Sequence, residues 1–265
     1  MSALRIEALF RYPVKSCRGQ PLTVADLDRY GIEDDRRWMV VDAQGRFLTQ
    51  RQLPRMCLIE PLLAAATLTL VAPGLEPLTV PRGGEGPLRE VQVWGDTVRA
   101  SDAGDDAADW LTEVLDVPAR LVELGPGHRR PVDPAYDVGG AEAAFSDGFP
   151  LLLIGSASLD GLNARLSAPI GMIRFRPNLV VGGAEAHAED GWRRLRAGGI
   201  ELHVVKPCTR CAIPTIDPAT GERGREPMAT LLKYRRDGAH VIFGQNVIHA
   251  GPGRLRVGDA VEVLA

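Results

Sequence analysis

The sequence predicts an α+β fold, rich in β-structure, whose short strands suit a small barrel or a sandwich. Three observations carry that expectation. Apolar runs are short, the longest being FPLLLIG. Turn-forming Gly (29) and Pro (20) are spread along all 265 residues rather than gathered into low-complexity blocks. Helical spacing of apolar residues is confined to Asp105–Leu115 and to a stretch opening near Ser156.

In the first half, Leu4–Phe10 (LRIEALF) is an apolar run closed by Pro13. Trp38–Val41 and Arg46–Thr49 flank Asp42-Ala-Gln-Gly45, which is hairpin chemistry with Gly at the turn. Ala64–Val71 alternates Thr and Leu with strand periodicity. Val91–Val93 and Thr97–Ala100 flank Trp94-Gly95-Asp96, a second tight turn. Asp105–Leu115 sets Ala107, Trp110, Leu111, Val114 and Leu115 at helical spacing, with acidic residues where the helix dipole favours them. Gly125–Gly140, rich in Gly, Pro and charge, reads as a loop or crossing between two domains, 1–120 and 121–265.

The second half mixes both kinds of element. Leu151–Ile154 reads as a buried strand. Ser156 reads as the N-cap of a helix whose Leu159, Leu162 and Leu166 share one face. Asn178–Val181, Ile200–Val205, Val241–Phe243 and Val261–Leu264 read as strands, and RLRVGDAVEVLA closes the chain as two strands around Gly258-Asp259.

Lys+Arg (31) and Asp+Glu (34) leave a net charge of −3. No global basic field exists to hold nucleic acid or an anionic membrane, although a local pocket can still be basic. No run suits a signal peptide or a bilayer span, so a cytoplasmic protein with no membrane or nucleic-acid partner is expected. Cys17, Cys57, Cys208 and Cys211 are too few and too scattered for a disulfide scaffold.

Cys208-Thr-Arg-Cys211 follows a strand, with Lys206 and Arg210 beside the thiols. Nearby cations favour the thiolate, so at least one cysteine should be reactive or metal-binding. Three readings stay open. A structural zinc site wants more N or S ligands than the chain offers here. A thioredoxin-like pair wants the CxxC to open a helix, where IPTIDP follows instead. The third is a buried pair with no chemical role. Tyr12-Pro-Val-Lys-Ser-Cys-Arg-Gly19 is a basic turn whose Lys15, Ser16 and Arg18 suit an anion, or a solvated surface. Asp34-Asp-Arg-Arg-Trp38 reads as a salt-bridged rim. Arg176 precedes Pro177, so extended backbone is expected, presenting a planar guanidinium fork. Asp147, in FSDGFP, either accepts ring N–H bonds or shapes a turn.

Taken together, YPVKSCRG, DDRRWMVVD, TQRQ, FSDGFPLLLIGSASLDGLNARL, FRPNLVV, KPCTRC with IDPATG, FGQN and VGDAVEVL stand in a fixed order. That order resembles MOSC-domain proteins with an N-terminal MOSC β-barrel domain, and within them the amidoxime-reducing branch, whose members reduce N-hydroxylated compounds. Nearly the whole chain is covered. The resemblance implies a small N-terminal β-barrel domain plus a MOSC β-barrel domain with flanking helices. It implies molybdenum held by the dithiolene of a molybdopterin and by one protein cysteine, which matches Cys211 rather than Cys208. Soft thiolate sulfur suits that metal. Lys15, Ser16 and Arg36 match residues that hold molybdopterin. Asp147, Arg176 and Asn178 match pterin-contacting positions, and Thr209 and Arg210 are expected to offer backbone donors beside the metal. Gly148 and Phe149 stand where relatives carry small hydroxyl residues, which leaves backbone contacts there.

The implied activity is two-electron reduction of an N–OH or N-oxide small molecule, whose oxygen leaves as water. No Cys-x4-Cys-x2-Cys run of the kind some bacterial relatives append is found. Electrons are therefore expected from a separate ferredoxin- or flavoprotein-type donor. Two other outcomes stay in view: a molybdenum-cofactor or sulfur carrier module without turnover, and a cofactor-free protein using Cys208 and Cys211 as a redox pair.

Overall fold

A computed structural model describes residues 3–265. It is β-rich, with helices α1 (Asp105–Leu115), α2 (Ser156–Asn163) and α3 (Met228–Tyr234). The largest sheet has nine strands. From edge to edge it holds Val261–Val263, Arg194–Ala197, Ile200–Thr209, His240–His249, Leu151–Gly155, Leu179–Gly182, Arg5–Arg11 and Gln20–Leu22, with Arg236–Asp237 paired to His240–His249. Leu151–Gly155 and Leu179–Gly182 pair in parallel, and α2 lies in the crossover between them. An Arg5↔Ala260 bridge and an Ile6 N–H donating to Asp259 O at 2.9 Å join Arg5–Arg11, next to one edge, to the segment leading into Val261–Val263 at the other. The sheet therefore curls to closure, which protects its edges.

Ile6, Leu9, Leu153, Leu179 and Val247 fill its interior. On its outer side Ile154, Phe175 and Phe243 pack with Leu162 of α2 and Leu231 of α3. Leu153 and Ile154 point to opposite faces and both are fully buried. Coverage on both sides explains why LLLI is a continuous apolar run rather than an alternation. Three smaller sheets complete the fold. They hold Trp38–Val41, Arg120–Leu124, Asp96–Asp102 and Leu88–Val93; then Glu60–Leu63, Thr67–Val71 and Leu78–Pro81; then Gly253–Arg256, Val24–Asp28 and Gly31–Ile32. Helix α1 lays Ala107, Leu111 and Val114 onto Trp38, Met56 and Leu68.

Helix α1 and the Trp94-Gly95 hairpin match the sequence reading. Several elements differ. Arg46–Thr49 makes only isolated bridges, because Asp42 Oδ1 captures the Gln44 and Arg46 amides in a local turn. Residues 64–66 turn back onto Thr67 and lie outside the strand. Ser156 is the first helical residue rather than the cap; Glu189 Oε1 holds the Gly155 amide and keeps extended backbone up to that residue. The chain end is not a hairpin. Gly253–Arg256 pairs with Val24–Asp28, whereas Val261–Val263 pairs with Arg194–Ala197, so Gly258-Asp259 moves the chain between sheets. Ile200–Thr209 runs on through Pro207, which stands between two register shifts where the ladder needs no donor.

Gly244 of the FGQN segment has φ +81, and a Cβ there would stand 2.8 Å from Leu153 O. Gly244→Ala is expected to cost about 2–5 kcal/mol, left-handed strain adding to overpacking. A lower urea midpoint at unchanged slope would report it.

Candidate functional site

The turn after Arg5–Arg11, the 145–150 loop, the segment before Leu179–Gly182 and the end of Ile200–Thr209 border one cleft. Its volume, open solvent at the mouth included, is about 790 Å³. Lys15, Ser16, Arg36, Asp147, Gly148, Phe149, Arg176, Asn178, Thr209, Arg210 and Cys211 all line it, as does Cys208.

The N-terminal turn is pinned by a Lys15 N–H donating to Trp38 O at 2.8 Å and by Gln50 Nε2 donating to Ser16 O at 2.5 Å. Lys15 is buried, and its ammonium donates to Phe145 O at 2.8 Å and Asp147 Oδ1 at 2.5 Å. Trp94 Nε1 also donates to Asp147 Oδ1, at 3.2 Å. Desolvation opposes the charge on Asp147, but Lys15 and the indole N–H outweigh it and hold the carboxyl well below the usual range. Lys15 does not show the matching rise. Burial of its ammonium, with Arg130 and Arg36 nearby, lowers its pKa despite Asp147.

Behind this pair, the fully buried Tyr12 ring lies between two guanidinium groups, with Arg36 and Arg176 Cζ each 4.3 Å from its centroid. Arg36 donates to Asp35 Oδ2 at 2.5 Å, Asn178 Oδ1 at 3.1 Å and Arg176 O at 3.2 Å. Asn178 also accepts from Leu152 N–H and donates to Phe10 O. It therefore acts on the cleft by positioning Arg36. Arg176 adopts left-handed backbone at φ +56, not the extended conformation expected before proline, because the short 3-10 turn Met172–Phe175 ends on it. Its Nη1 donates to Cys17 O at 2.7 Å, while its buried Nη2 has no hydrogen-bond partner among the described residues. Burial, then repulsion by Arg36, pulls its pKa down to about 10. Ser16 (φ +69) and Arg36 (φ +49) are left-handed too. Such strain costs about 1–2 kcal/mol per residue and persists where a site requires it.

Cys208 lies within Ile200–Thr209, and Cys211 lies past its end. Both thiols are partly exposed and free. Arg210 Nη1 donates to Cys208 Sγ at 3.0 Å, and Nη2 donates to Phe175 O at 2.7 Å. The Arg210 amide already donates to Val241 O at 2.7 Å. It is not available as a backbone donor beside the thiols, contrary to expectation; the guanidinium faces the cleft instead. No group of three or more His, Cys, Asp or Glu is placed to hold a metal among the described residues. A metal here would take most of its donors from another molecule.

Two family models cover most of the chain: the MOSC N-terminal beta barrel domain over residues 3–118 and the MOSC domain over residues 140–262. Mitochondrial amidoxime-reducing component 1 of Mus musculus is 37% identical, the alignment covering 98% of this chain and 82% of that protein. The Homo sapiens component 1 is 36% identical with the same coverage, and the Homo sapiens component 2 is 34% identical over 97% and 82%. The chain belongs to the MOSC family.

The cleft of this MOSC protein includes residues that the sequence reading passed over. Arg51 lines it and stacks 4.5 Å above the Trp94 ring centroid. It lies within TQRQ, a segment noted only for its resemblance. Trp94 reads as a turn residue in sequence. Asn246 lines the cleft from the FGQN segment. The buried Arg130 donates to Ala144 O, Ser146 O and Asp147 O and so shapes the 144–147 loop. No local pattern within Gly125–Gly140 marks it.

The Lys15–Asp147 pair has a pH signature. A folded pKa below the unfolded value of ~3.9 means that ionised Asp147 stabilises the fold above about pH 4, a contribution lost as pH falls through the lower folded value. The side chain is 61% exposed, so the effect is modest. The stability gap between this protein and its Asp147→Asn variant should be flat at neutral pH and shrink in acid. A gap that stays constant through acid unfolding would contradict the assignment.

Proposed function

We propose that this MOSC protein is a molybdenum-cofactor-dependent oxidoreductase that reduces N-hydroxylated or N-oxide small molecules. The supporting observation is convergence. Residues far apart in sequence, each at a position the family resemblance marks, line one cleft with Cys211. The amidoxime-reducing names of its relatives supply the substrate class. For an amidoxime the reaction is R–C(NH2)=NOH + 2 e⁻ + 2 H⁺ → R–C(NH2)=NH + H2O. When bound, molybdenum held by molybdopterin supplies the two-electron chemistry.

The residues present fit that group. Lys15, Arg36, Arg51, Arg176 and Arg210 line the cleft against a single carboxylate, Asp147, although the whole chain is net negative. Such a lining suits an anionic cofactor. The partnerless Arg176 Nη2 is a ready donor to its phosphate. Lys15, Ser16, Arg36 and Arg176 bind and orient the pterin end, with Asn178 holding Arg36. Gly148 and Phe149 offer backbone contacts. Arg210 occupies the Cys208 sulfur, whereas Cys211 has no such partner among the described residues. Cys211 is therefore the thiolate free to bind the metal. Electrons come from a separate ferredoxin- or flavoprotein-type donor.

The test uses protein from a host that makes the cofactor, with reduced methyl viologen as electron source. Benzamidoxime should be converted to benzamidine at a rate proportional to molybdenum content. Protein that retains molybdenum and pterin but converts nothing would be a carrier, and the reductase reading would fall.

A further inference from the structure

Past the thiols the cleft opens into a vestibule of about 820 Å³, open solvent included, with Arg51, Trp94, Phe149 and Lys206 on its walls. Two cation–ring pairs stand there. Arg51 lies over Trp94, which is 46% exposed and anchored through Nε1 to Asp147. Lys206 Nζ lies 4.3 Å from the Tyr136 ring centroid, and Tyr136 meets Phe149 edge-on at 6.0 Å. Neither Arg51 nor Lys206 has a carboxylate within salt-bridge distance among the described residues. The only acidic residue lining the vestibule is Asp147, already held by Lys15 and Trp94.

An aromatic face steadies a cation without neutralising it, and leaves N–H donors for a ligand. Both cations share the vestibule lining with Arg210, so an incoming anion meets three positive side chains. The deeper Lys15, Arg36 and Arg176 already serve the cofactor end. Resting on the reductase reading, we propose that the vestibule selects N-oxygenated substrates that carry an anionic group on a planar frame. Arg51 and Lys206 take the anion, and Trp94 and Phe149 take the ring.

The experiment compares benzamidoxime with 4-carboxybenzamidoxime on the molybdenum-loaded full chain, with a chemical reductant so that no donor protein is present. At low salt the carboxylate substrate should have a KM about tenfold lower, and the advantage should shrink at high salt. Arg51→Gln and Lys206→Gln should each cut the KM ratio about threefold to tenfold, while Arg51→Lys keeps part of it. Molybdenum content is measured on every sample. Equal KM values with normal turnover of the neutral substrate would overturn the proposal and leave the reductase reading standing. Gln variants that lose molybdenum at an unchanged KM ratio would also overturn it, assigning these cations to the cofactor. No turnover of either substrate by fully loaded protein would sink both.

Discussion

Cys211→Ala is expected to lower N-reductase turnover by about a thousandfold or more, about 4 kcal/mol of activation free energy, and to empty the protein of most of its molybdenum. Cys208→Ala should lose no more than about tenfold. Both thiols line the cleft, so proximity does not separate them. What separates them is their surroundings. Cys208 is fixed within a strand with Arg210 Nη1 on its sulfur. Cys211 lies on the turn beyond, ahead of Ile213–Thr215. On the proposed reading, a soft thiolate there would be the one donor this chain contributes to a metal whose other sulfur ligands would belong to the pterin. Equal losses in the two variants would mean that the pair acts together as a dithiol, and the ligand assignment would fail.

Arg176→Lys is the second large effect. Charge is kept, yet the fork that donates to Cys17 O at 2.7 Å, stacks on Tyr12 and holds out an unpaired Nη2 is lost. A hydrogen bond between charged groups contributes about 1.5–3 kcal/mol, so pterin retention should fall roughly tenfold to a hundredfold. Pterin content after gel filtration reads this directly. The urea midpoint of the cofactor-free variant separates lost binding from lost folding. Pterin content equal to the unmodified protein would show that Arg176 serves structure alone.

Local signals were legible in sequence. The spacing of Ala107, Leu111 and Val114 marks α1, and Gly95-Asp96 marks a hairpin, because both depend on neighbours within a few residues. Features that depend on distant partners were not. Ile200–Val205 reads as the whole strand, but register shifts against His240–His249 let it continue through Pro207 to Thr209, and that continuation places Cys208 apart from Cys211. VGDAVEVL reads as a hairpin, but its flanking strands find partners elsewhere in the chain. Arg176 before Pro177 reads as extended, yet the turn ending on it and its bond to Cys17 go with left-handed backbone. In the cleft, the residues named as cofactor contacts from YPVKSCRG, FSDGFP, FRPN and KPCTRC share one lining, whereas Arg51 and Asn246 went unnamed although TQRQ and FGQN were recognisable. Arg130 and Trp94 also went unnamed, since their value lies in contacts to Asp147 from across the fold.

The identity of the metal ligand rests most directly on molybdenum K-edge X-ray absorption of the loaded protein beside its Cys211→Ser and Cys208→Ser variants. Serine offers oxygen in place of sulfur, so metal that remains bound reports the exchange. Cys211→Ser is expected to show one sulfur neighbour fewer and one oxygen or nitrogen neighbour more, with Cys208→Ser identical to the unmodified protein. An unchanged sulfur shell in Cys211→Ser, or the loss appearing in Cys208→Ser instead, would contradict the assignment.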